Sequence, residues 1–213
     1  MSANCWNCGG SVSLPADAAG RASRFCDACK SLQPPARDYY EFLDMPRQLA
    51  IDGKDLEKRF YALSRQLHPD LFSRKPPREQ EYALDASAIL NDAYRTLKDP
   101  VARALYVLKQ EGYNIAEQGT KDVPPELLEE VFDLNMAIEE LREGDEDARA
   151  QLESARHRFE RMRDEIDGTL QCQFAEWDAG QERAKLDEIR GQLNRRKYIT
   201  NLIARTDEAH VSN

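Results

Sequence analysis

Gln66-Leu67-His68-Pro69-Asp70-Leu71-Phe72 decides the fold of this chain. Before it, Leu56, Phe60, Leu63 and Leu67 recur at helical spacing and form one apolar stripe. After it, Ala86, Leu90, Ala93 and Leu97 do the same. Pro69 has a fixed φ and no N–H, and it drives His68 out of the helical region, so the first helix stops there. The pattern predicts a helical hairpin with an imidazole and a carboxylate held at its exposed turn.

Outward from the turn, the flanking helices have legible ends. Asp52 caps the helix that runs to Leu67, and Asp38 caps a shorter element opening on Tyr39-Tyr40-Glu41-Phe42-Leu43. Ser73 to Arg78 holds Pro76-Pro77 and three cations, a loop by composition. The next helix is expected from about Glu79 to Leu97. Asp99-Pro100 starts a fourth, which Gly112 ends. Ser31 to Arg37, with Pro34-Pro35, reads as a linker.

The first 33 residues form a separate module. Cys5-Trp6-Asn7-Cys8 and Cys26-Asp27-Ala28-Cys29 are two C-x2-C pairs, 17 residues apart. That is the spacing of a four-thiolate zinc site, one structural ion held by Cys5, Cys8, Cys26 and Cys29. Gly9 and Gly10 suit the tight knuckle, and Arg24 and Lys30 are placed to offset part of the thiolate charge. Two disulfides or a redox pair are the alternatives. The first needs an oxidising compartment that nothing here specifies, and the second a βαβ setting that the pattern lacks. Cys172 stands alone in a helical stretch and reads as a small buried hydrophobe.

Composition narrows the function. Of 213 residues, 41% are hydrophobic and 32% charged, which suits a helical protein with long solvated faces. The net charge of −9 arises wholly after residue 124, where 22 acidic residues face 13 basic ones. Nucleic acid is disfavoured by that sign. No apolar run is long enough to span a membrane. Met-Ser-Ala-Asn-Cys has neither the apolar core of a signal peptide nor the Arg-rich amphipathic pattern of a transit peptide. A cytoplasmic location is the expectation, or the mitochondrial matrix for a processed chain.

Catalysis has no constellation to carry it. His68 and Asp70 are two apart across a proline, expected to point in different directions, with no nucleophile in the stretch. His157 and His210 lie in charged surroundings with no partner pattern. The chain reads as a non-enzyme.

The second half is helical. Asp122-Val123-Pro124-Pro125 starts a helix to about Glu143, with Leu127, Val131, Leu134, Ile138 and Leu141 as its core stripe. Leu128, Phe132 and Met136 make a second stripe roughly 100–180° around, bordered by Glu129, Asp133 and Glu140. Two stripes mean either burial on both sides or display to a partner. Helices of about 146–174 and 181–204, broken near Gly180, complete an antiparallel three-helix bundle over 122–206.

His68-Pro69-Asp70 between these two helices resembles the J-domain, here over 38–112, of co-chaperones that engage DnaK-type ATPases. Asn91-Asp92-Ala93-Tyr94-Arg95-Thr96-Leu97, Pro100-Val101-Ala102-Arg103-Ala104-Leu105-Tyr106-Val107-Leu108 and the helical domain that follows resemble one branch of them, the HscB family of iron–sulfur cluster assembly, in its tetracysteine subtype. The resemblance implies that Lys58, Arg59, Arg65 and Gln66 lead into the turn and, with His68, Pro69 and Asp70, meet the HscA-like ATPase and stimulate it. Leu71 stands where many J-domains have Lys. The resemblance also implies that Leu128, Glu129, Phe132, Asp133, Met136 and Glu140, joined by Tyr198, bind an IscU-type scaffold. The family often has Met at position 129 and Glu at 136. A general J-type co-chaperone for unfolded polypeptides is the alternative, and the zinc module leaves a homodimer open.

Overall fold

The computed structural model describes residues 3–12, 24–114 and 125–211. The protein is mainly α-helical and divides into two compact units, Met1–Tyr106 and Val107–Asn213.

The first unit opens on two short antiparallel strands, β1 (Ala3–Asn4) and β2 (Ser11–Val12), with Ala3 opposite Val12. Cys5, Val12 and Cys26 form a small core beside them. Ser31, Leu32 and Gln33, expected in a linker, are buried, because Leu32 pairs with Phe25 and packs into the unit. Helix α1 (Tyr39–Phe42) is a single turn, capped by Asp38 Oδ1 accepting from the Glu41 N–H at 2.8 Å. Leu43 caps its end, and the chain turns at the next residue, Asp44, whose φ of 54° lies in the left-handed region.

Helices α2 (Gly53–Leu67) and α3 (Pro77–Lys98) pack along the two stripes. Leu56, Leu63 and Leu67 are buried against the α3 side that carries Ala86, Leu90, Ala93 and Leu97. Phe60 is half-buried and stacks on Tyr94 with ring centroids 4.3 Å apart. Asp52 caps α2 through the Lys54 N–H at 2.8 Å. Helix α3 begins two residues before Glu79, because a proline at its first position sacrifices no hydrogen bond. Asp99 caps α4 (Pro100–Gln110) through the Ala102 N–H, and Gly112 turns the chain at φ 81°. Buried Arg103 donates to the carbonyls of Leu49 and Leu97, tying the loop before α2 to the end of α3.

In the second unit a 3-10 turn, Pro125–Leu127, leads into α5 (Leu128–Arg142), α6 (Asp147–Gly180) and α7 (Arg183–Val211). Asp122-Val123-Pro124 and most of the polar linker lie outside the described residues. Each helix packs on the other two. Leu134 and Leu141 of α5, Leu152, Phe159, Leu170 and Phe174 of α6, and Leu186, Ile189, Leu193 and Leu202 of α7 fill the core.

In the second unit helix boundaries and one burial differ from the sequence reading. Helix α6 runs six residues past Phe174, because Trp177 is 2% exposed and continues the core stripe. The break comes at Gln181, with φ 50°. Helix α5 ends at Arg142 with Glu143 as its cap, as expected, whereas α7 starts at Arg183 and continues past Ala204 to Val211, with Thr206 buried. Cys172 is exposed. It lies about 200° around the helix from both Leu170 and Phe174, so their burial turns it outward.

No helix among the described residues is long and apolar enough to cross a membrane.

Replacing Arg103 by Met removes its charged donors from the Leu49 and Leu97 carbonyls, which is expected to cost about 2–4 kcal/mol. Urea denaturation followed by circular dichroism measures this, and an effect below about 0.5 kcal/mol would contradict the role given to Arg103.

Candidate functional site

The His-Pro-Asp turn is built from backbone constraints. His68 is extended, at φ −59° and ψ 128°, as a residue before proline must be. Pro69–Phe72 then winds one 3-10 turn, closed by the Leu71 N–H donating to the His68 carbonyl at 3.0 Å and anchored by buried Phe72. His68 Nδ1 accepts from the Asp70 N–H at 3.4 Å and lies 3.6 Å from Asp70 Oδ2. The expectation that these side chains diverge is therefore wrong: the 3-10 turn brings residue 70 back toward residue 68. Both remain exposed.

Along α2 the exposed residues Lys58, Tyr61, Arg65 and Gln66 lead into this turn, with Leu71 beyond it. Tyr61 is 54% exposed and Leu71 60%. Sequence reasoning missed Tyr61, although its place three after Lys58 and four before Arg65 was the signal. Arg59 does not belong to this face. Its Nε donates to Asp55 at 2.7 Å and its Nη1 to the Asp44 carbonyl at 2.6 Å, so it ties α2 to the end of α1.

The four cysteines converge. Their sulfurs all lie within 4.8 Å of one another, with Cys5–Cys29 at 3.6 Å and Cys8–Cys26 at 3.7 Å. A disulfide would need about 2 Å, whereas a tetrahedron of thiolates on a metal at about 2.3 Å has edges near 3.8 Å. The knuckles share one hydrogen-bond pattern. Cys5 N–H donates to Gly10 O at 2.8 Å and Gly9 N–H to Cys5 O at 3.0 Å; Cys26 N–H donates to Ser31 O at 2.9 Å and Lys30 N–H to Cys26 O at 2.8 Å. Gly9 and Lys30 occupy matching left-handed positions, at φ 69° and 60°. A Cβ on Gly10 would sit 3.3 Å from Cys8 Sγ, so the knuckle closes tightly around its sulfur.

The thiols titrate unequally. Hydrogen bonds from the Ser31 side chain and backbone lower Cys29 to about 6. For Cys8 the Gly10 N–H lowers the pKa, but Cys29, burial and the other two cysteines outweigh it and push the thiol up to about 11. These four residues fit one metal ion with no open position. Arg24, expected to offset the thiolate charge, instead pairs with Asp44 at 2.8 Å and donates to the Phe42 carbonyl.

In the second unit α5 carries Leu128, Phe132 and Met136 at 55%, 64% and 47% exposure, so the second stripe is not core. Glu129 and Asp133 are exposed beside it, and Glu140 is half-buried. Tyr198 is 9% exposed, and burial pushes its phenol up, which makes it a core residue rather than part of an open surface.

The comparisons with known proteins bear on both units. Residues 38–106 match the DnaJ domain family, and residues 123–207 match the HSCB C-terminal oligomerisation domain. Mouse iron–sulfur cluster co-chaperone protein HscB is 31% identical over 205 residues, spanning 93% of this chain and 79% of that protein. The chain belongs to the HscB co-chaperone family. The human HscB protein is 37% identical over 139 residues, which cover 64% of this chain and 57% of its own length. The HscB homologue of Vibrio vulnificus is 32% identical over 70% of this chain and 87% of its own. The crystal structure of human HscB superposes with a TM-score of 0.73 at 28% identity, covering 99% of this chain and 100% of that one. HscB from Vibrio cholerae gives 0.59 at 27% identity, over 82% and 98%.

Metal binding must displace the Cys8 proton throughout the neutral range, and below about pH 6 the Cys29 proton as well. Apparent affinity is therefore expected to fall as pH falls, more steeply below about 6. Cobalt(II) titrations read by thiolate charge-transfer absorption test this; a pH-independent affinity would contradict it.

Proposed function

We propose that the protein brings an IscU-type iron–sulfur scaffold to an HscA-like, DnaK-type ATPase and stimulates that ATPase. The observation that carries the reading is the uncovered Leu128–Phe132–Met136 stripe, ringed by Glu129, Asp133 and Glu140, on a chain of the HscB family. An apolar centre with a charged rim suits a specific protein surface better than an extended unfolded client. Leu128 and Phe132 anchor the scaffold, while the acidic rim sets orientation and encounter rate.

In the first unit Lys58, Arg65 and Gln66 present charge and hydrogen bonds to the ATPase, and His68, Pro69 and Asp70 complete the contact. Tyr61 and Leu71 add apolar area on the same face. Hydrolysis belongs to the partner, and this chain supplies the trigger. The tetracysteine site holds one zinc ion in a structural role, because all four ligands are protein thiolates.

Calorimetric titration with an IscU-type scaffold tests the client half. Leu128→Ala/Phe132→Ala is expected to weaken binding by at least about 100-fold, as loss of two anchors should, with circular dichroism unchanged. No binding by the wild type would favour a general J-type co-chaperone; equal binding by both would place the scaffold on another face. For the other half, Asp70→Asn is expected to abolish ATPase stimulation while leaving scaffold affinity within about twofold. Retained stimulation would remove the turn from the contact.

A further inference from the structure

Within the first unit the tetracysteine module is seated on the first turn of α3. The Trp6 indole N–H donates to the Leu32 carbonyl at 2.7 Å, and its ring meets Tyr82 edge-on at 6.0 Å. The Arg78 guanidinium lies 5.4 Å above that indole and donates through Nε to the Tyr82 hydroxyl at 2.9 Å. Between them Glu79, only 3% exposed, accepts the Leu32 N–H at 3.2 Å. A buried carboxylate needs donors, and this one takes a backbone donor from the cysteine module.

The same helical turn grips the opposite neighbour. Gln80 Nε2 donates to the Lys75 carbonyl at 2.7 Å and the Ser73 carbonyl at 3.3 Å, closing the loop that follows His-Pro-Asp. Ser73 Oγ then donates to the Asp70 carbonyl at 2.9 Å. Helix α3 has no cap of its own, because Pro76 stands at the N-cap and makes no side-chain hydrogen bond. Its first turn is held by what docks on it.

We propose that Trp6 and Glu79 are positioning residues for the His-Pro-Asp turn. Metal binding folds the knuckles, the folded module clamps Arg78, Glu79 and Tyr82, and the clamped turn fixes residues 70–75 through Gln80. Loss of the metal releases Leu32 and Trp6, leaves Glu79 to water and lets an uncapped helix start fray. The inference rests on the proposed ATPase contact for its functional consequence only, since the ordering itself is read on this protein alone.

Amide hydrogen exchange on the full chain tests it, with zinc-loaded wild type, chelator-stripped wild type, and zinc-loaded Trp6→Ala, Glu79→Ala and Glu79→Gln whose metal content is verified. Exchange at Leu71 and Lys75, whose N–H groups donate to His68 and Phe72, is expected to quicken at least about tenfold in the stripped protein, Trp6→Ala and Glu79→Ala. Leu63 within α2 should stay within about twofold. Glu79→Gln keeps an acceptor for the Leu32 N–H and should restore slow exchange. Unchanged exchange at Leu71 and Lys75 in metal-bound Glu79→Ala would overturn the proposal. So would an equal rise at Leu63, which makes the module a general stabiliser. If Trp6→Ala fails to retain zinc, the stripped wild type and Glu79→Ala decide. Stimulation of the DnaK-type ATPase should fall with the same variants. Its absence in wild type would count against the proposed function and leave the exchange result standing.

Discussion

Pro69 is the constraint on which the first unit depends. Its ring removes a donor and sets φ, so α2 must end at Leu67 and His68 must be extended. Only because the chain reverses there do the stripes of α2 and α3 meet and bury Leu63, Leu67, Ala86 and Leu90 together. The 3-10 turn that follows places Asp70 beside His68 and drives Phe72 into the core. The exposed chemistry of the turn and the packing beneath it have one cause. The turn needs no cavity, since its geometry is written in backbone dihedrals.

The second unit makes its surface differently. In a three-helix bundle each helix has one stripe's width to bury, and α5 spends that width on Leu134, Ala137 and Leu141. Leu128, Phe132 and Met136 then have nowhere to go but outward. The cost of exposing them is tolerable because they are few and stand among Glu129, Asp133 and Glu140. The acidic excess after residue 124 makes the charge of this half net negative.

Ionic groups, buried at Arg103 and Glu79 and half-buried at Arg59, supply the joints that neither hydrophobic stripe provides. Arg103 answers two carbonyls, Arg59 reaches from α2 to the end of α1, and Glu79 receives Leu32 from the cysteine module. Each joins segments far apart in sequence. A lone Arg or Glu on a helix gives no periodic signal, which is why Arg59 reads as a partner contact and Glu79 only as the approximate start of a helix.

The sequence by itself determined the helix starts at Asp38, Asp52 and Asp99, the stop at Pro69, the four-cysteine cluster and the two stripes of α5. These follow from neighbours within a few residues: a cap, a missing N–H, a C-x2-C spacing or a 3.6-residue period. Only the tertiary structure decided that Trp6 and Glu79 join the module to α3, that Tyr61 belongs to the exposed face of α2, that Arg59 reaches back to the end of α1, and that Tyr198 is buried. It also decided that Trp177 prolongs α6 and that Cys172 faces water. Local pattern says that a face is apolar or charged. Which face is covered, and by what, depends on segments tens of residues away, and that is fixed only when the chain packs.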